Sequence, residues 1–320
     1  MVRYRDVVTD NARWDGFRFR DDDIVISTPA KCGTTWTQMM CALLVFQATQ
    51  FDRPLDLISP WLDMVTRDRA GVVADLEAQE HRRFIKTHTP LDGLPWDERV
   101  TYITVGRDPR DVALSMDNHM ANLDLDVLLA ARGAVVGNDD LAELFPDGPP
   151  IPAATEIERF WAWVDADDAR GNGLRPTLHH LDTFWSARDR ANVVLLHYDD
   201  LKRDLAGQMR GLASRLDIDV PDDRWPELVE AATFARMRQR ADVVAPNTSD
   251  TLWHDNGRFF HKGTSGQWRE LLSDDDLQRY AARVAQIGLD PELVEWAHSG
   301  PVVSVSAYGR PESSLREGNR

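Results

Sequence analysis

Residues 23–47 read DIVISTPAKCGTTWTQMMCALLVFQ. Ile24-Val25-Ile26 is a short β-branched apolar run, the pattern of a buried strand. Pro29 ends it, because a residue without an N–H cannot continue a hydrogen-bonded ladder. From Thr34 to Phe46 the apolar residues switch to helical spacing. Pro29 to Thr35 therefore joins a strand to the first turn of a helix. A helix start presents unpaired N–H groups and the positive end of the helix dipole, which together hold an anion. Lys31 adds a mobile cation, Gly33 lets backbone approach a ligand closely, and Thr34 and Thr35 add hydroxyl donors. The stretch predicts a phosphate-holding loop. It is not the nucleotide-triphosphate form G-x-x-x-x-G-K-[ST], where lysine follows the second glycine and a hydroxyl residue binds magnesium. Here Lys31 precedes the loop's only glycine. Taken alone, the same residues also read as a helix start capped by Thr34.

The chain around this loop has 320 residues, 42% of them hydrophobic and 28% charged, an ordinary globular composition. Its net charge of −16 disfavours nucleic acid as a partner. No apolar run approaches the length of a membrane span, and the N-terminal residues carry no secretion signal. Cys32 and Cys41, one in the loop and one in the helix, are not placed to pair, which suggests a reducing, cytoplasmic setting. An anionic ligand can bind such a chain only where cations are concentrated. Of the 37 basic residues only Lys31, Lys86, Lys202 and Lys262 are lysine. A compact mobile ammonium and a rigid guanidinium fork are not interchangeable, so the positions that keep lysine mark candidate sites. Chance placement of so few residues is the alternative.

Further along, Arg83 to Thr87 and Val100 to Val105 read as strands, and Asn192 to Leu196 as a buried strand ending at His197-Tyr198. Helices are expected at Gly71–Glu80, from Asp108-Pro109 onward, and over Ile157–Trp163, Thr177–Arg190, Leu201–Leu216, Glu227–Arg240, Asp274–Gln286 and Pro291–Ala297. The segment Ala121 to Thr155 is crowded with glycine and proline and reads as irregular: a lid, a binding loop or disorder. Asp165 to Pro176 and Ala241 to Lys262 read as loops. Strands alternating with helices predict an α/β fold, a single domain with a central parallel sheet flanked by helices. It would span 1–320, with a core over about 14–297 and a flexible tail from about 308. Ligands in such sheets sit at the carboxyl ends of the strands. His88 lies just past the Phe84 strand, where an imidazole can serve as a general base or simply as a structural hydrogen-bonder. Arg107, after the Val100 strand, offers a fork for phosphate, and Ser115 follows two turns into the next helix. A capped helix with solvated charges is the plain alternative.

The strand–loop–helix unit with Trp36 after it resembles the 5′-phosphosulfate loop of sulfotransferases that use 3′-phosphoadenosine 5′-phosphosulfate. Lys86-Thr87-His88 is similar to that family's K-T-H, and Arg107-x-Pro-x-Asp-x-x-x-Ser115 to its 3′-phosphate motif. Residues 259–268, FFHKGTSGQW, resemble its R-K-G-x-x-G-x-W segment, with His261 where the family has arginine. Cys32 replaces the usual serine. The resemblance runs from about Trp14 to Trp296 and is strongest toward actinobacterial glycolipid-type enzymes, through residues 82–93 and Ala245-Pro246-Asn247-Thr248. It implies transfer of a sulfonate from 3′-phosphoadenosine 5′-phosphosulfate to an acceptor hydroxyl, of a glycolipid or of a small phenol or alcohol, without a metal. It implies His88 as base, Lys31 at the departing phosphate, Lys86 at the sulfonate, and Ser115 holding Lys31 before transfer. Lys31, Gly33, Thr34, Thr35 and Trp36 would bind the cofactor, with Arg107, Ser115, His261, Lys262 and Gly263 at its 3′-phosphate. Tyr198, Thr233, Phe234 and Met237 would lie at the adenine; core packing is the other reading for these. The family's dimer motif would begin after Trp268, and no position matches it, so no dimer is expected. The rival readings are a P-loop phosphotransferase and a nucleotide-binding protein without catalysis.

Overall fold

The computed structural model describes residues 1–145, 148, 151–167, 171–246 and 252–300. The expected tail beyond 308, and Asn247 and Thr248, lie outside these. Four parallel strands form one sheet in the order β2-β1-β3-β4: β1 Ile24–Ser27, β2 Phe84–Thr87, β3 Thr101–Gly106 and β4 Val193–His197. Ser27 pairs with Thr87, and Gly106 with His197, so these strands end along one edge. The strand sequences are apolar throughout because both sheet faces are covered. Side chains alternate between faces. Ile24, Ile26, Phe84, Ile103, Val105, Val194 and Leu196 pack under one set of helices. Val25, Ile85, Tyr102 and Val193 pack on the other side, against Trp14, Leu76 and Phe184.

Helix α1, Thr34–Phe46, is buried from Thr34 through Leu44, which explains its nearly continuous apolar sequence. Helix α2, Pro109–Met120, starts where β3 ends: Pro109 occupies the first turn, and the Asp108 carboxylate accepts from the Arg110 N–H. Several sequence expectations are corrected. Ala121–Thr155 is not irregular throughout; α3 fills Leu125–Val136, with the Asp124 side chain accepting from the Val127 N–H and Gly137 ending the helix at φ +78°. The glycines and prolines that crowd the segment fall mainly outside α3. The expected Leu201–Leu216 helix is two helices, Tyr198–Arg203 and Leu205–Arg215, broken where Asp204 caps the second. Glu227–Arg240 is likewise split, into Trp225–Ala231 and Phe234–Gln239, because Thr233 caps the latter. Asp165–Pro176 gives way to helix at Leu174, since proline is tolerated within a first turn. Residues 241–262 include helical turns at Ala241–Val244 and Asn256–Phe259.

The residues entering β1 and β2 are clamped by an ion pair sealed from water. Arg83 Nε donates to Asp23 Oδ1 at 2.8 Å, its Nη2 donates to the other carboxylate oxygen and to the Arg18 carbonyl, and both side chains are 1% exposed. Removing one member of such a pair strands the other charge. Asp23→Ala is expected to lower unfolding free energy by about 3–5 kcal/mol in urea titration. A loss below about 1 kcal/mol, the scale of an exposed pair, would show that this clamp does not hold the strands.

Candidate active site

The edge formed by the strand ends gathers cations. Lys31 sits in the β1–α1 loop at φ +68° and Gly33 at φ +108°, so the loop turns sharply just before the helix. A Cβ on Gly33 would come within 3.3 Å of the Tyr198 ring, leaving only glycine an easy fit. The Thr28 and Thr34 hydroxyls, 2.6 Å apart, close the loop's base. Thr35 is buried in the same first turn. Arg107, at the end of β3, donates from Nη1 to the Lys31 carbonyl at 2.8 Å and from Nη2 to the Thr264 carbonyl at 3.4 Å. Its guanidinium lies 4.3 Å from the Tyr198 ring centroid. Its Nε is buried and lacks a hydrogen-bond partner among the described residues. A buried donor left open beside a loop of helix-start N–H groups is the signature of an anion site.

The 263–268 segment is strapped to the same place. Asp111, in the first turn of α2, accepts from the Gly266 and Gln267 N–H groups at 2.6 and 2.9 Å, and Trp268 Nε1 donates to Asp108 at 3.0 Å. Gly263, at φ +64°, lies against Phe234; an added Cβ would be 2.6 Å from that ring. Lys262 and His261 are exposed, and Lys262, Arg238, Arg258 and Lys31 all press the His261 pKa down, after burial. Neutral His261 therefore replaces a cation in a neighbourhood that has others. The Trp36 N–H donates to the Ala232 carbonyl at 2.8 Å, and its ring meets Tyr198 edge-on at 5.3 Å. Thr233 spends its hydroxyl as a helix cap, accepting from the Arg236 N–H and donating to the Glu230 carbonyl. Met237 is core.

On the other side of Lys31 lie Lys86 and His88. Lys86 Nζ stands 4.0 Å from the Trp61 ring centroid, with the carboxylates of Asp56 and Asp63 near enough to favour its charge, while Lys31 has no carboxylate within ion-pair distance among the described residues. Burial, then neighbouring cations, lower Lys31 to a pKa of about 7; burial foremost lowers Lys86 to about 7 as well. Burial pushes the Cys32 thiol up to about 12, so it is no nucleophile. His88 Nδ1 is 2.8 Å from the Thr28 carbonyl. A carbonyl only accepts, so Nδ1 carries the proton and Nε2 keeps a free lone pair. Beneath it, buried His180 Nε2 lies 3.1 Å from Ser27 Oγ at the end of β1. Among the described residues no hydrogen bond joins Ser115 to Lys31. One turn further along α2, His119 Nδ1 lies 3.3 Å from Lys31 Nζ, and because a charged lysine can only donate, the ring nitrogen accepts from it in that form; Phe259 lies 4.4 Å from the same Nζ. Trp61, His119, His180 and Phe259 escaped sequence reading; only His119, spaced i+4 from Ser115, carried a signal that could have found it.

The site can hold a polyanion and offers one lone pair for a proton. A cofactor bearing a phosphosulfate fits this donor set: Lys31, Thr34 and Thr35 at the loop, Lys86 beside it, and Arg107 with Nε to spare. Among the described residues no helix is long and apolar enough to cross a membrane, and no three His, Cys, Asp or Glu side chains are grouped to hold a metal.

A family model described as the sulfotransferase domain matches residues 21–287. A glycolipid sulfotransferase of Mycobacterium bovis is 43% identical over 310 residues, 93% of this chain and 94% of its own. One from Mycobacterium tuberculosis is 44% identical over 309 residues, with the same coverage of 93% and 94%. Two solved structures share the fold. Retinol dehydratase, in complex with androsterone and PAP, superposes with a TM-score of 0.65 at 21% identity, covering 87% of this chain and 84% of that one. A mouse sulfotransferase complexed with PAP gives 0.63 at 20% identity, covering 90% and 92%.

His88 is held neutral by burial first and by Lys86 second, its pKa lying well below 6.5. In the ligand-free protein, nitrogen NMR of the imidazole is expected to show the Nδ1–H tautomer, still uncharged at pH about 6. Protonation at the ordinary value would contradict this placement.

Proposed function

The chain belongs to the sulfotransferase family, and on that premise we propose that it moves a sulfonate from 3′-phosphoadenosine 5′-phosphosulfate to a hydroxyl of a glycolipid. The observation that carries this reading is the meeting of buried Lys31, Lys86 and Arg107 beside a His88 Nε2 lone pair. The glycolipid is supported by mycobacterial relatives named for such acceptors at 43% and 44% identity. The unpaired, buried cysteines support a reducing, cytoplasmic setting.

In this reading the cofactor supplies an electrophilic sulfur and a phosphate leaving group. His88 Nε2 takes the acceptor's hydroxyl proton as the oxygen bonds to sulfur. The sulfur–oxygen bond to phosphate breaks, and its electron pair leaves with adenosine 3′,5′-bisphosphate. Lys31 stabilises charge growing on that phosphate, and Lys86 faces the sulfonate oxygens. Arg107, with Ser115 and the 261–263 segment, holds the 3′-phosphate. Tyr198, Trp36, Thr233 and Phe234 surround the adenine. Fixed charges aimed at oxygens, in a site that excludes water, are the main source of rate in such a transfer. The Thr28 carbonyl fixes the His88 tautomer, so Nε2 needs no reorganisation to accept.

The test uses labelled cofactor and an acceptor panel of glycolipids, phenols and simple alcohols. The wild-type protein is expected to add one sulfonate to glycolipid, and His88→Ala to lose at least about a hundredfold in turnover while still binding adenosine 3′,5′-bisphosphate. Transfer to phenols alone would move the acceptor class. A folded His88→Ala protein with near-normal turnover would remove the base assignment.

A further inference from the structure

Lys31 lies in the β1–α1 loop between Arg107 and Lys86, and its surroundings are unusual for a buried ammonium. Among the described residues no carboxylate pairs with it. Its Nζ rests between the His119 Nδ1 lone pair at 3.3 Å and the Phe259 ring face at 4.4 Å. His119 is itself fixed in place. Its ring packs 4.7 Å from Trp253 and 6.0 Å from Phe259, and Trp253 Nε1 donates to the Pro246 carbonyl at 2.6 Å. Backbone bonds from the Asp124 N–H to the Leu252 carbonyl and from the His254 N–H to the Asn122 carbonyl, each 2.9 Å, tie this aromatic group to the end of α2. The ammonium is thus caged by a lone pair and a ring, both uncharged.

Such a cage has a consequence for binding. Arg107 and Lys86 repel Lys31, and an uncharged acceptor offsets that repulsion only in part. A phosphosulfate brings full negative charge and outcompetes an imidazole for the ammonium. Lys31 must then break its contact with His119 to reach the phosphate. Resting on the sulfotransferase reading, we infer that His119 is a positioning residue: it holds Lys31 in the empty enzyme, and the cofactor must displace it. Ser115, one turn nearer the start of α2, is then left for the phosphate.

The test compares His119→Phe, which keeps an aromatic ring against Trp253 and Phe259 but removes the acceptor, with His119→Gln, which restores an acceptor oxygen. With the bond that binding must break gone, the phenylalanine variant is expected to show a KM for 3′-phosphoadenosine 5′-phosphosulfate lower by about three- to tenfold, the scale of one net hydrogen bond. Its kcat should move less than its KM, and the glutamine variant should return toward wild-type KM. Either of two results overturns the inference: a KM that stays or rises in the phenylalanine variant, or equal behaviour of both variants. A fall in kcat and melting temperature together with a raised KM assigns His119 a packing role instead. Should the phenylalanine variant not fold, His119→Leu serves the same comparison. A wild-type protein that neither binds nor uses the cofactor would overturn the sulfotransferase reading itself, a result separate from any shift between variants.

Discussion

Two buried lysines, held at a strand-end edge where burial disfavours their charge, are the constraint on which the site depends. Lys31 and Lys86 stand at the ends of neighbouring parallel strands, and burial lowers both to a pKa of about 7. Keeping cations dry and unpaired costs stability, and proteins tolerate that cost where a ligand completes the pairing. The surrounding structure manages the cost: Phe259 and Trp61 offer ring faces, His119 a lone pair, and carbonyls of Lys31 and Thr264 receive the Arg107 fork. In a chain with a net charge of −16, this concentration of positive groups also gives an anionic cofactor one place to go.

The fold positions these groups through the parallel sheet. Because β1, β2 and β3 run the same way, their loops open on one edge, and each contributes a different part: the phosphate loop, the Lys86–His88 pair and Arg107. The Arg83–Asp23 clamp fixes the opposite end of β1 and β2. The 263–268 segment arrives from far along the chain, and Asp111 holds it by two backbone N–H groups. A carboxylate in a helix's first turn thus also fastens the other wall of the site.

The strands, α1 and the start of α2 were legible because their signals are local: a β-branched run stopped by Pro29, and Asp108-Pro109 opening a helix. The site residues on strand ends followed from the same logic. What stayed hidden depends on tertiary context. Thr233 and Asp204 look like interior helix residues until capping splits the helix around them. Helix α3 was masked by the glycines and prolines near it. His119 looked like one polar residue at the end of a helix, and nothing local ties it to Lys31, which lies far back in the chain. Trp61 and Phe259 carry no local mark of the lysines whose side chains their rings face.

Proton uptake on binding tests the central claim most directly. Titration calorimetry of adenosine 3′,5′-bisphosphate, run at about pH 8 in two buffers of different ionisation enthalpy, counts the protons taken up. With pKa values of about 7, Lys31 and Lys86 are mostly neutral at that pH in the empty protein. A bound polyanion favours their charged forms and raises both values, so the account predicts tight binding with net proton uptake. Binding with no proton linkage, or no binding, would contradict a site built on two buried lysines with lowered pKa values.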